Sequence, residues 1–167
     1  MLLCHPVDDS NHCCYRLIRL LNAFKEQSVP MTTLMICDFY SLFPGQLKYI
    51  NGWPRLNSAS WEKLHAMPDE YEEMLNPKRV FFQLNNVQTA AISHLHAKRL
   101  IELSSTSESL VTLLRDSMPL KLCETLENDV SCSTDWFSLI TTDLCKIGIF
   151  GKNGLKRKTG LMEFLYD

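Results

Sequence analysis

Apolar side chains recur at helical spacing soon after the chain begins. Cys13, Leu17, Ile18, Leu20, Leu21 and Phe24 fall on one broad face, and Arg16, Arg19, Asn22 and Lys25 fall on the other. Asp8, Asp9 and Ser10 supply cap chemistry just before them, so the pattern predicts an amphipathic helix of about four turns ending near Gln27. Val29-Pro30 interrupts it. A second helix is predicted from Thr32 or Thr33, where Leu34, Met35, Ile36, Phe39, Tyr40, Leu42 and Phe43 wrap most of the circumference, as far as Pro44-Gly45. A helix apolar nearly all round belongs at the centre of a core.

Periodicity fades between residues 45 and 84. Asn51-Gly52-Trp53-Pro54 reads as a turn, and Asn57-Ser58-Ala59-Ser60 as a loop or cap. Pro68 followed by Asp69, Glu70, Glu72 and Glu73 predicts a short acidic helix ending before Asn76-Pro77, its carboxylates solvated and complementing the helix dipole. Asn85 or Asn86 is then expected to cap a third helix through Val87, Ala90, Ala91, Ile92 and Leu95 to Lys98-Arg99. Leu100–Leu103 and Leu110–Leu114 flank the polar tip Ser104–Glu108. That is the shape of a helix followed by a β-wing, although Leu110–Arg115 also suits a continued helix.

Beyond Pro119, Leu120, Cys123 and Leu126 suggest a short helix. Ser133 or Thr134 caps another, with Trp136, Phe137, Leu139, Ile140, Leu144 and Ile147 on its apolar side and Gly148 at its C-cap. The expectation is a mainly α (α+β) single domain over residues 1–167. Within it, residues 9–115 form a winged-helix-like helical domain with a small β-wing and an insertion at 45–84, and residues 116–167 form a C-terminal helical extension. Leu161, Phe164, Leu165 and Tyr166 near the end should pack on this domain or on a partner, because solvated chain ends are usually polar.

Composition narrows the chemistry. With 167 residues, 46% hydrophobic and 22% charged, the chain can bury a core without disulfides or metal. Seventeen basic and 19 acidic side chains give a net charge of −2, which excludes a uniformly basic nucleic-acid protein but not a local basic patch. The seven cysteines are odd in number and lack a CxxC pair, which points to reduced thiols in the cytoplasm; neither a signal peptide nor a membrane span is legible. Cys4, His5, His12, Cys13 and Cys14 have metal-ligand chemistry, but adjacent Cys13 and Cys14 point to different sides of a helix. His94 and His96, two apart on a helix, cannot share a metal. No GxSxG elbow or Gly-rich phosphate loop occurs, so the chain is expected to be non-enzymatic and to need no cofactor.

Lys146, Lys152, Lys156, Arg157 and Lys158 cluster with no acidic residue from 144 to 162. Such a patch suits a nucleic-acid backbone and, equally, a solvated turn or a contact to an acidic partner face, and Lys98 and Arg99 would extend it if they share its side. Asp38, inside an apolar helix, needs a partner if buried. A structural ion pair is the first expectation and a contact between subunits the sharper one, with Phe164 and Tyr166 as further interface candidates.

The opening helix with Arg16-Leu17-Ile18-Arg19-Leu20-Leu21 leads to Leu34-Met35-Ile36-Cys37-Asp38-Phe39-Tyr40-Ser41-Leu42-Phe43-Pro44. Gly148-Ile149-Phe150-Gly151 and Gly154–Leu161 come near the end. In order and length this resembles the middle component of ABC-three-component systems, the small accessory subunit of Lamassu-type bacterial defence operons; residues 45–84 carry no part of the likeness. The resemblance implies a non-catalytic subunit that docks onto an SMC/Rad50-like ATPase and helps hold or release an effector, commonly a nuclease; the basic patch would give non-specific DNA backbone contact inside that complex. Two rivals stand beside it: a free-standing winged-helix DNA-binding transcription regulator, and a small cysteine- or metal-dependent enzyme.

Overall fold

Helix α1 (Ser10–Ala23) starts where the Asp9 carboxylate accepts a hydrogen bond from the Asn11 amide at 2.8 Å. The structure is a computed structural model that describes residues 9–68, 74–105 and 108–162. The helix ends at Ala23 rather than near Gln27. Phe24 turns to an extended backbone, which frees the chain to lay Ser28–Pro30 down as strand β1 and bury Val29. The pattern did not foresee this strand, because three residues ending in Pro carry no alternation. Helix α2 (Met31–Leu42) is buried continuously from Thr33 to Ser41, the central position its all-round apolar character demands.

Helix α3 (Ala59–Ala66) is capped by the Ser58 hydroxyl, which accepts from the Trp61 amide at 3.1 Å. The acidic helix expected at residues 68–75 falls largely on 69–73, outside the described residues. Helix α4 (Pro77–Ala97) begins well before Asn85 and Asn86, which lie within it. Its cap is Asn76, whose side chain accepts from the Arg79 amide at 3.0 Å, and Pro77 occupies the first turn. The early start extends the buried stripe: Phe81 and Leu84 continue the line of Gln88, Ala91, Ile92 and Leu95.

Strands β2 (Ile101–Ser105) and β3 (Ser109–Leu113) form the expected hairpin, and β1 adds to the free side of β3, giving an antiparallel sheet of order β1-β3-β2. Ile101, Val111 and Leu113 point inward. The Arg115 guanidinium, just past the hairpin, donates to the Leu21 and Asn22 carbonyls at 3.4 and 3.3 Å, satisfying acceptors that the end of α1 leaves open.

Helix α5 (Leu120–Glu127) forms as predicted, but the single helix expected from Thr134 to Gly148 does not. Thr134 caps a short α6 (Asp135–Ser138), succeeded by a π turn at Leu139–Asp143 and a 3-10 turn at Leu144–Lys146. The Thr141 and Thr142 hydroxyls bond back to the Phe137 and Ser138 carbonyls at 2.9 and 2.8 Å, competing with the regular ladder. The left-handed glycine cap is Gly160 (φ 63°), closing α7 (Leu155–Thr159), rather than Gly148. Phe137, Leu139, Ile140, Leu144, Leu155 and Leu161 join the core made by α1, α2 and α4. Each such burial contributes about 1.5–3 kcal/mol, which fixes the C-terminal segment onto the helices before it.

Candidate functional site

Asp38 is fully buried and sits at the crossing of three helices. It accepts from Arg16 Nε at 2.7 Å and Nη2 at 3.2 Å on α1, and from Gln88 Nε2 at 2.9 Å on α4; the same Gln88 nitrogen donates to the Met35 carbonyl. The bidentate guanidinium and the amide saturate the carboxylate, so the role seen is the structural ion pair. As an interface residue Asp38 is corrected: its side chain exposes nothing a partner can touch. Arg16 and Arg19 are corrected too. Both fall within α1's polar arc, yet they are only 7% and 9% exposed. Arg16 turns inward because Asp38 is there to receive it, and Arg19 because the C-terminal segment covers it.

That second contact is a network of its own. Arg19 Nη1 donates to Ser131 Oγ at 2.5 Å and lies 3.5 Å from Asp129 Oδ2, while its guanidinium stacks over Phe137 at 5.1 Å. The Tyr15 hydroxyl donates to Asp129 at 2.8 Å, and the Ser131 amide and hydroxyl both donate to Asp129 Oδ1. Burial alone would raise the Asp129 carboxyl. The hydrogen bonds from Ser131 and Tyr15 and the Arg19 charge outweigh it and hold the group below its ordinary value. Beside it lies an open groove of about 650 Å³, lined by Tyr15, Lys121, Glu124, Asp129 and Val130 among others. Sequence reasoning missed Tyr15, Arg19, Gln88 and Asp129 as a set. The one legible signal was a pair of arginines one helical turn apart in a helix that had to be covered.

The basic tail residues divide. Lys158 Nζ donates to the Asn51 and Gly52 carbonyls at 3.3 and 3.1 Å, and the Asn51 amide donates back to the Lys158 carbonyl at 3.0 Å. Lys158 is thus a clamp holding α7 to the Asn51–Gly52 turn. Lys156 stacks its ammonium over Phe150 at 4.8 Å. Lys152 and Arg157 are exposed and, with Asn51, Gly52, Asn153 and Lys158, line a pocket of about 140 Å³. Lys98 and Arg99 stand at the end of α4, exposed, with no hydrogen bond or ion pair to the tail among the described residues. Lys98 lies close enough to Cys14 on α1 for its charge to act on that thiol. Phe164 and Tyr166 lie outside the described residues.

Cys13, Cys37 and Cys145 are placed for packing. Burial pushes Cys13 up to about 12, with the Asp38 charge adding to it; burial likewise pushes Cys145 up to about 11 and Cys37 well above the ordinary value. Thiols held protonated in this way are poor nucleophiles and poor metal ligands. Among the described residues no three His, Cys, Asp or Glu side chains converge as for a metal ion, and no helix is long and apolar enough to cross a membrane.

A family model described as ABC-three component (ABC-3C) system Middle Component 5 matches residues 2–167. The chain belongs to that family. As a middle component it is an accessory subunit of an ABC-three-component system, and its partners are that system's other components. The match spans residues 45–84, so the segment that looked like an insertion without a relative is part of the middle component's own length. No curated protein and no solved structure matches the middle component.

Proposed function

We propose that this middle component is a non-catalytic subunit of a Lamassu-type bacterial complex acting against phage or plasmid DNA. It docks onto an SMC/Rad50-like ATPase and helps hold or release a nuclease effector. The observation that carries the reading is the full-length family match, which makes association with other components the chain's business. The disposition of side chains supports it. Buried Arg16, Arg19 and Asp38 and half-buried Asp129 are spent on tying elements together, while Tyr49, Leu56, Leu75 and Phe82 remain exposed. Residues 9–115 serve as a winged-helix-like scaffold, supported by a strand between the first two helices and by the sheet order β1-β3-β2. Residues 116–167 are its helical extension.

Lys152 and Arg157 offer the free charge of the tail to an acidic partner face or to a nucleic-acid backbone within the complex. The decisive experiment is co-expression with an SMC-like ATPase from the neighbouring gene. A stable complex that survives gel filtration in at least one nucleotide state is the expected result, and absence of association in every state refutes the reading. Lys152→Glu with Arg157→Glu should weaken assembly or DNA-dependent activation without unfolding the chain, because Lys158, which clamps α7, is left intact.

A further inference from the structure

The outer face of α4 carries no negative charge. No Asp or Glu occurs between Glu73 and Glu102, a stretch that contains all 21 residues of α4. Residues 39–61 and 144–162 also lack Asp and Glu, and the run that holds α4 is longer than either. Opposite the buried line of Phe81, Leu84, Ala91 and Leu95, the residues Arg79, Gln83, Asn86, Ala90, Ser93 and Ala97 recur at alternating spacings of four and three. All six are exposed and form one stripe. The Gln83 and Asn86 amides make no hydrogen bond within the described residues, so their donors and acceptors are unspent.

Cations mark the two ends: Arg79 at the start, Lys98 and Arg99 just past the finish, about 30 Å away along the axis at 1.5 Å per residue. Between them the stripe is uncharged, with small or hydrogen-bonding side chains. An acidic protein surface would be matched by cations spread along the helix. A duplex instead offers phosphates where a helix enters and leaves a groove, and base edges between. A groove about 12 Å wide admits a helix about 10–12 Å across. Exposed Phe82, beside Arg79, is of a type that contacts a thymine methyl. The hairpin does not share this character, because Glu102 on β2 and Glu108 just before β3 give it negative charge.

We propose that the outer face of α4 docks into the major groove of double-stranded DNA, with Arg79, Lys98 and Arg99 on phosphates and Gln83 and Asn86 on base edges. The proposal does not rest on the defence-complex reading. It concerns the isolated chain, whereas that reading is tested by association with an ATPase, so the two can fail separately.

The test is fluorescence anisotropy of a labelled duplex of about 30 base pairs, and of one of its single strands, titrated with the full-length chain at about 50 and 200 mM salt. Three phosphate contacts predict duplex binding that weakens about fortyfold across that range. Arg79→Glu, Lys98→Glu and Arg99→Glu together should weaken it at least about tenfold and flatten the salt dependence. Gln83→Ala with Asn86→Ala should lower affinity severalfold and leave the salt slope unchanged. All five positions are exposed, so unchanged circular dichroism and melting are expected of both variants. A third variant, Ser93→Glu, places one carboxylate at mid-stripe and should also weaken binding.

Three results overturn the proposal. One is no duplex binding at the lower salt, including the case in which the charge-reversed chain loses a protein partner instead. Another is equal affinity for the single strand. The third is binding that Lys152→Glu with Arg157→Glu abolishes and the α4 variants leave untouched.

Discussion

Asp38 and Asp129 show what a carboxylate can do when its surroundings are complete. Asp38, with no exposed surface, is held by Arg16 and Gln88. Replacing it by Asn keeps an acceptor for Gln88 but leaves the Arg16 charge buried and unpaired, which costs about 3–5 kcal/mol. Urea unfolding should show that loss, and Arg16→Gln added to Asp38→Asn should recover part of it, since the pair is then neutral on both sides. Asp129 carries the acid dependence. Its carboxyl is held below the ordinary value in the folded chain, so the unfolded chain binds the proton first as pH falls. The stabilisation is therefore complete above about pH 4 and lost on further acidification through the folded value. Asp129→Asn should flatten the pH dependence of stability in that acid range and leave it unchanged near neutrality. A parallel slope in both proteins would remove Asp129 from the account.

At the scale of elements, the stretch joining Ile147 to α7 depends on one glycine. A Cβ on Gly154 would stand 2.5 Å from the backbone carbon and oxygen of Phe150. No flexible side chain can yield there. Gly154→Ala should therefore push α7 off its seat, breaking the Leu155 amide bond to the Gly148 carbonyl and lifting Leu155 from the core. The expected loss is about 1–3 kcal/mol in a denaturant melt, with hydrogen exchange rising first at residues 148–160. How far these elements were legible in the sequence depends on their physics. Helices α1, α2 and α5 were legible because each has a cap or a proline at one end and an apolar face of helical period. The β2–β3 hairpin was legible as two apolar runs around a polar tip. Strand β1 was not, because it exists through its pairing with β3. The breaks at 138–147 were not either, because threonine hydroxyls that compete with the ladder look like ordinary helix residues in a periodic pattern. The start of α4 was misplaced for a subtler reason: Asn85 and Asn86 have cap chemistry, but Asn76 and Pro77 supply a cap of their own and Phe81 packs on Phe39 of α2, which carries the helix back to Pro77. The same limit applied to the site. Asp38 was legible as a charge needing a partner, whereas its saturation by both Arg16 and Gln88 is a tertiary fact.

On the scale of the whole molecule, exposed apolar surface is unevenly placed. Tyr49, Leu56, Leu75 and Phe82 are four of the seven large apolar side chains exposed among the described residues, and all lie between residues 45 and 84. Scattered single exposures are ordinary, but Tyr49, Leu56 and Leu75 fall together between α2 and α4, and Phe82 follows on the first turns of α4. The family match includes the segment, so its surface is available for the association that defines a middle component. Leu56 and Leu75 are 78% and 94% exposed, and replacing both by Asp removes little buried area. Stability should stay within about 0.5 kcal/mol per substitution, a shift of no more than a few degrees in the melting temperature. Association with the other components should fall at least tenfold, roughly the effect of losing one interface residue worth more than about 1.4 kcal/mol. Co-purification and a thermal melt on the same preparation separate the outcomes. An unaltered melt with lost association assigns the segment to the interface, and an unaltered melt with full association shows that the partners bind elsewhere on the chain.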